Sequence, residues 1–201
     1  MDAIYRYQRL IYDASRKFFL FGRDYLIDEL TPPKGGSVLE IGCGTGRNLQ
    51  KIGQQYPGCS LFGVDISQEM LRSARSKLGE TAKLAQADAT NFDPVQEFGV
   101  SGFDRVFVSF AVSMIPEWEQ ALTHGASVVN PGGSLHVVDF GTQEHLPKWS
   151  GRVLNSWLKR FHVTPRSDLF DVVDAVAKQR NASFESRSLY RSYSSYAVIK
   201  L

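Results

Sequence analysis

Val38-Leu39-Glu40-Ile41-Gly42-Cys43-Gly44-Thr45-Gly46 is the stretch whose reading decides the fold. A short hydrophobic run ends in glycines at every second position, and a helical stretch follows over 46–56. Glycine at such a corner permits positive φ and lets the backbone approach a ligand with no Cβ in the way. The helix start presents free N–H groups. The spacing is G-x-G-x-G, not the G-x-G-x-x-G of dinucleotide folds, and no Gly-Lys-Ser/Thr follows. A P-loop phosphate cradle is therefore disfavoured. The alternative is a tight strand-to-helix turn whose glycines serve packing alone.

Outward from this corner, strands and helices alternate. Residues 37–41, 61–64, 82–86, 104–110 and 134–140 read as strands, and 67–78 as a helix capped by Ser67. Residues 116–129 read as a helix with Pro116 in its first turn. Towards the C-terminus, 168–179 is helical, and 182–190 with 193–201 reads as a closing hairpin. This alternation predicts an α/β fold, a three-layer sandwich around a mostly parallel sheet.

Two further segments flank that core. Over 2–30, Ile4, Tyr7, Ile11, Ala14, Phe18 and Phe21 form one stripe at helical period, with Gly22 as a possible break and 31–36 as a hinge. Over 146–161, Trp149, Val153, Trp157 and Phe161 recur every fourth residue, the pattern of an amphipathic helix. The expected organisation is an N-terminal helical segment, 1–30, and a domain over 37–201 with an amphipathic insertion at about 146–166.

Composition bounds the function. The chain has 201 residues, 43% hydrophobic and 22% charged, with a formal charge of +2, which fits one folded domain and does not by itself call for nucleic acid. Cys43 and Cys59 cannot staple a domain of this size, which fits a reducing cytoplasm. No run of 18 apolar residues exists, so no membrane span is expected. His124, His136, His145 and His162 show no ligand spacing, and no metal is expected.

Several residues point to a cofactor. Asp65 ends the second strand, 19 residues beyond Gly46, where a carboxylate can accept both hydroxyls of a ribose. A helix-capping aspartate is the alternative. Asp88, after the third strand, could accept from an exocyclic amine of adenine, or be a plain loop acid. Ile66 and Ala89 stand beside these two acids, and Cys43 lies within the glycine loop. Ser109 and Phe110 close the fourth strand at the carboxyl edge, where open α/β sheets bind ligands; a core role for Phe110 is equally open.

With these motifs in order, the chain resembles the class I S-adenosylmethionine-dependent methyltransferases. The resemblance rests on Glu40 with Gly42, Gly44 and Gly46, on Asp65 and Asp88, and on Asn130-Pro131-Gly132-Gly133 before the fifth strand. It implies a Rossmann-like, seven-stranded sheet with an antiparallel last strand. It also implies that Glu40 organises the methionine end of S-adenosyl-L-methionine and that Arg23 pairs with the cofactor carboxylate; a buried strand-end carboxylate and a solvated surface arginine are the alternatives.

The flanking segments bear on what is methylated. Residues 3–23 carry Arg6, Arg9, Arg16, Lys17 and Arg23 against Asp13 alone, beside six aromatic residues. Residues 146–166 carry Lys148, Arg152, Lys159, Arg160 and Arg166 with no acid, beside Trp149, Trp157 and Phe161. Basic and aromatic residues on amphipathic helices suit an anionic membrane surface; a solvated basic face is the alternative. Nucleic acid is disfavoured because 109–116 lacks the Asn/Asp-Pro-Pro-Tyr/Phe signature of base-methylating relatives.

A closer resemblance is to bacterial betaine-lipid N-methyltransferases, relatives of the phosphatidylethanolamine N-methyltransferases. Tyr5-Arg6-Tyr7-Gln8-Arg9, Ile11-Tyr12-Asp13, the run 18–24, Glu40 to Asn48, 109–116 and Tyr190-Arg191 carry it. It implies an amine-bearing lipid substrate, diacylglyceryl-homoserine, methylated to diacylglyceryl-trimethylhomoserine. The expected location is cytoplasmic, peripheral to the inner face of the membrane. The alternatives are phosphatidylethanolamine, a soluble small molecule methylated on N or O, and a cofactor-binding regulatory protein without turnover. An amine needs its lone pair free, so a proton acceptor is expected among Tyr5, Tyr12, Asp139 and water. Tyr5, Tyr7 and Tyr12 could also hold a methylated cation by cation–π attraction.

Overall fold

The computed structural model describes residues 20–145 and 164–201. The expected N-terminal stripe up to residue 19 and the insertion over 146–163 lie outside these residues, as do Tyr5, Tyr7 and Tyr12. Seven strands form one sheet in the order β3-β2-β1-β4-β5-β7-β6. They are β1 Ser37–Ile41, β2 Ser60–Asp65, β3 Ala82–Gln86, β4 Phe103–Ser109, β5 Val129–Phe140, β6 Ser183–Leu189 and β7 Ser194–Lys200. β1 to β5 pair in parallel, and β7 runs antiparallel to both β5 and β6.

The alternation of side chains along the strands makes two cores. Leu39, Ile41, Val106, Val108, Leu135 and Val137 face one side. There they meet α4 (Pro94–Phe98), α5 (Trp118–Ser127) and α6 (Leu169–Gln179) through Phe98, Trp118, Leu122, Leu169 and Val173. Val38, Phe107 and Val138, one residue out of step, face the other side. They meet α1 (Arg23–Leu30), α2 (Arg47–Gln55) and α3 (Gln68–Leu78) through Leu26, Ile27, Leu30, Leu49, Ile52 and Leu71. The period of two in a strand thus builds three layers from one sheet.

Gly22, at φ 112, stands as the N-cap of α1, which starts at Arg23. The buried face of α1 makes this part of the segment integral to the domain. Its last carbonyls are closed by Arg105 on β4, whose guanidinium donates to Leu30 O at 2.6 Å and to Thr31 O at 3.1 Å.

The larger differences from the sequence reading are two boundaries and one added helix. α5 begins at Trp118, with Pro116 in the turn before it, because 112–114 close a 3-10 turn that uses this stretch first. β5 begins at Val129 and carries Asn130-Pro131-Gly132-Gly133 within it, at a register irregularity against β4. α4 was not foreseen. It spans five residues, too short for a period, although Asp93 accepts from Val95 N and Gln96 N and Pro94 occupies its first turn.

Candidate functional site

The strand order reverses between β1 and β4, and ligands of open α/β sheets bind outside the carboxyl ends at such a point. The loops leaving β1 and β4 touch there. A Cβ on Gly42 would stand 2.7 Å from the Ala111 Cβ. Gly42, Gly44 and Gly46 all have positive φ. The loop is tied down from three sides. Gly42 N and Cys43 N donate to Val64 O, and Gly44 N donates to Asp65 Oδ2 at 2.7 Å. Lys77 on α3 reaches Thr45 O at 2.9 Å.

Two cavities flank this loop and share Gly42. The larger, about 220 Å³, has Gly44, Asp65, Ile66, Asp88 and Ala89 on one side and Ala111 with 114–117 on the other. Its walls are mostly apolar: Ile66 is 68% exposed beside Asp65, and Met114, Ile115 and Pro116 face it from beyond β4. The smaller is polar. Arg23, Glu40, Cys43, Thr45, Arg47, Asn48 and Ser109 line it with Leu20.

The acids are held differently. Asp65 takes Gly44 N on Oδ2 and Ser67 N at 2.8 Å on Oδ1, which fixes its plane; a carboxylate oxygen can accept a second bond. Asp88 takes both the N–H and the hydroxyl of Thr90 on Oδ1, at 2.9 and 2.7 Å. Those two bonds hold its carboxyl below the usual range, and Asp88 lines the larger cavity. Glu40 is buried and accepts from Asn48 Nδ2 at 2.6 Å. Arg23 sits in the polar cavity with its guanidinium on Asp24 at 2.8 Å. Burial pushes the Cys43 thiol well up, so it packs beneath the loop as a small apolar group.

Of the residues expected at the cofactor, Arg23, Glu40, Gly42, Cys43, Gly44, Asp65, Ile66, Asp88, Ala89 and Ser109 all line one of the two cavities. Gly46 does not. Its Cβ would lie 2.6 Å from Leu78 Cδ1, so this glycine serves helix packing. Phe110 is buried at φ 53 against Phe140, a core position under the site. Asp139 lines neither cavity; it is fully buried. Its Oδ2 accepts from Ser113 N at 2.9 Å and its Oδ1 from Phe140 N at 2.7 Å. It therefore anchors the 3-10 turn that carries the wall at Met114.

Arg47, Asn48 and the 114–117 wall were not foreseen. For Asn48, the spacing of eight residues from Glu40, two residues past Gly46 in the first turn of α2, was the available signal. Arg166, expected at a membrane face, instead stacks 5.5 Å over the Trp118 ring and donates to Ile115 O at 3.0 Å, bracing the same wall.

A family model described as a methyltransferase domain matches residues 38–133. The phosphatidylethanolamine N-methyltransferase of Cereibacter sphaeroides is 34% identical over 119 residues, covering 57% of this chain and 55% of that protein. The trans-aconitate 2-methyltransferase of Escherichia coli is 28% identical over 129 residues, 64% of this chain and 43% of the other. The chain thus spans about half the length of the curated relatives it matches. Among solved structures, the plantazolicin methyltransferase BpumL, in complex with a triazolic desmethylPZN analog and SAH, superposes with a TM-score of 0.74 at 17% identity. That match covers 96% of this chain and 90% of that one.

Proposed function

We propose, from the premise that this chain is by domain and fold a class I S-adenosylmethionine-dependent methyltransferase, that it methylates the amine of a lipid headgroup. The observation that carries the cofactor assignment is the pair of unlike cavities joined at Gly42. The apolar lining of the larger suits an adenosine, and the charged and amide side chains around the smaller suit an amino-acid end, so the residues present suit S-adenosyl-L-methionine.

In this assignment Asp65 accepts the ribose hydroxyls and Asp88 Oδ2 accepts from the adenine amine. Ile66, Ala89 and Met114 cover the ring. Arg23 turns from Asp24 to the cofactor carboxylate, a bidentate partner that suits a guanidinium. Glu40, held by Asn48, orients the ammonium end. When bound, the cofactor supplies a methyl group already activated on a sulfonium. The remaining task of the protein is to hold an amine lone pair in line and away from water. Tyr5 and Tyr12 remain candidates for accepting the amine proton; Asp139 serves by positioning the Ser113–Met114 turn.

The likeness to a phosphatidylethanolamine N-methyltransferase supports an amine on a lipid, and the basic, aromatic compositions of 3–23 and 146–166 support a membrane-borne one. Diacylglyceryl-homoserine is the expected substrate, in betaine lipid synthesis, and phosphatidylethanolamine the alternative. No helix among the described residues is long and apolar enough to cross a membrane, so the enzyme would reach its substrate by docking at the anionic cytoplasmic face. The likeness to a trans-aconitate methyltransferase favours a second reading, a small carboxylate as methyl acceptor.

Mass spectrometry of lipids incubated with the protein and methyl-labelled cofactor tests this. Increments of one to three methyl groups on diacylglyceryl-homoserine are expected. No label on that lipid or on phosphatidylethanolamine contradicts the proposal.

A further inference from the structure

The turn joining β6 to β7 holds three successive non-glycine residues in the left-handed region: Tyr190 at φ 51, Arg191 at φ 59 and Ser192 at φ 65. L residues rarely adopt this conformation even singly. Here the 141–145 strap holds it. Gln143 N donates to Ser192 O and Gly141 N to Tyr193 O, each at 2.8 Å, and Ser192 Oγ meets His145 Nδ1 at 2.7 Å. Ser192 is thereby buried while Tyr190 and Arg191 are held outward.

Tyr190 does not stand alone. Its ring lies 5.9 Å from that of Phe21, which lies 5.4 Å from Tyr193. Tyr190 is 54% exposed and Phe21 53%, so two large rings form one contiguous surface. Phe21 is fixed from below, its carbonyl accepting from Ser194 Oγ. Among the described residues no carboxylate pairs with Arg191. Rings with a free guanidinium match the interfacial layer of an anionic bilayer, apolar at one end and charged at the other.

Position strengthens the match. The turn lies at the same sheet edge as both cavities, and Leu20, beside Phe21, lines the polar one. The described residues bordering both basic, aromatic segments converge on this edge. Phe21 and His145 bond to the hairpin, and Thr164 N donates to Ser113 O at 3.0 Å.

We propose that Phe21, Tyr190 and Arg191 form a membrane-contact surface that turns the carboxyl edge of the sheet, and with it the mouth of the site, towards an anionic lipid bilayer. This rests on the lipid reading above and names the surface through which it acts.

The test is co-sedimentation of the full chain with phosphatidylcholine vesicles, with and without phosphatidylglycerol. Tyr190→Asn and Arg191→Asn suit it because asparagine accepts left-handed backbone and leaves the turn intact. Arg191→Asn should weaken binding to the anionic vesicles roughly fivefold at low salt, with the difference vanishing at high salt. Tyr190→Asn should weaken binding at both salt levels. Failure of the parent chain to bind anionic vesicles, or variants that bind them as the parent does, would overturn the proposal. Methyl transfer to a lipid amine in detergent separates the two readings. The variants should match the parent there, whereas a parent inactive on such lipids contradicts the substrate and leaves the vesicle result to stand alone.

Discussion

The loop after β1 and the turn before β7 lie at one sheet edge, and both run through left-handed backbone. The loop does so on Gly42, Gly44 and Gly46, the turn on Tyr190, Arg191 and Ser192. In the loop the space beside the backbone is taken, by Ala111 at Gly42 and by Leu78 at Gly46. In the turn Tyr190 and Arg191 are held outward while Ser192 is buried, and the unfavourable backbone is sustained by the bonds of the 141–145 strap. Glycine marks where atoms must approach closely. Left-handed backbone without glycine marks where side chains are kept for what they present.

That contrast breaks if substitutions act alike in the two places. The largest effect is expected for Gly42→Ala. It combines a left-handed alanine with a methyl driven against Ala111, and should lower unfolding free energy in denaturant titrations by about 2–4 kcal/mol. Next, Asp65→Ala should leave the fold intact and weaken cofactor binding by about 1–3 kcal/mol in calorimetry, the scale for hydrogen bonds to a charged group. Unchanged affinity would remove Asp65 from the ribose.

Acid should act from the hairpin side. His136 on β5 is buried between Ser134 Oγ at 2.8 Å and the Tyr196 hydroxyl of β7 at 2.9 Å. Burial, then Arg105 and Lys200, lower its pKa to about 3. A folded pKa below the unfolded value of about 6.5 means that the unfolded chain takes the proton first. Stability is thus full above pH 6.5 and falls towards pH 3, by up to about 1.4 kcal/mol per pH unit. His136→Phe should flatten denaturant midpoints between pH 6.5 and 4.5, above the range where carboxylates titrate. The smallest effect is expected for Arg191→Gly, which relieves a left-handed arginine. It should leave stability unchanged or raise it by up to about 1 kcal/mol, opposite in sign to Gly42→Ala.

Much of the fold was legible because its signals are local. β1 and β3 end where the hydrophobic runs end, Ser67 caps α3 by accepting from Met70 N, and a left-handed Gly22 precedes α1. Asp65 and Asp88, the acids proposed for the cofactor, were legible because strand ends place them at one edge, on one cavity. Other features depend on partners distant in sequence. Asp139 stood at the correct edge, yet its carboxylate turns to the backbone of Ser113 and Phe140. Arg166 read as a free cation until Trp118 was placed beneath it. The left-handed turn at 190–192 carries no glycine, and so gave no sign of itself before the strap was known.

One competition identifies the methyl acceptor. Vesicles holding diacylglyceryl-homoserine and phosphatidylethanolamine are mixed with trans-aconitate, methyl-labelled S-adenosylmethionine and the protein, and the label is then partitioned between lipid and water. Label is expected in the lipid fraction, on nitrogen. Label confined to the aqueous acid, or none transferred, would contradict it.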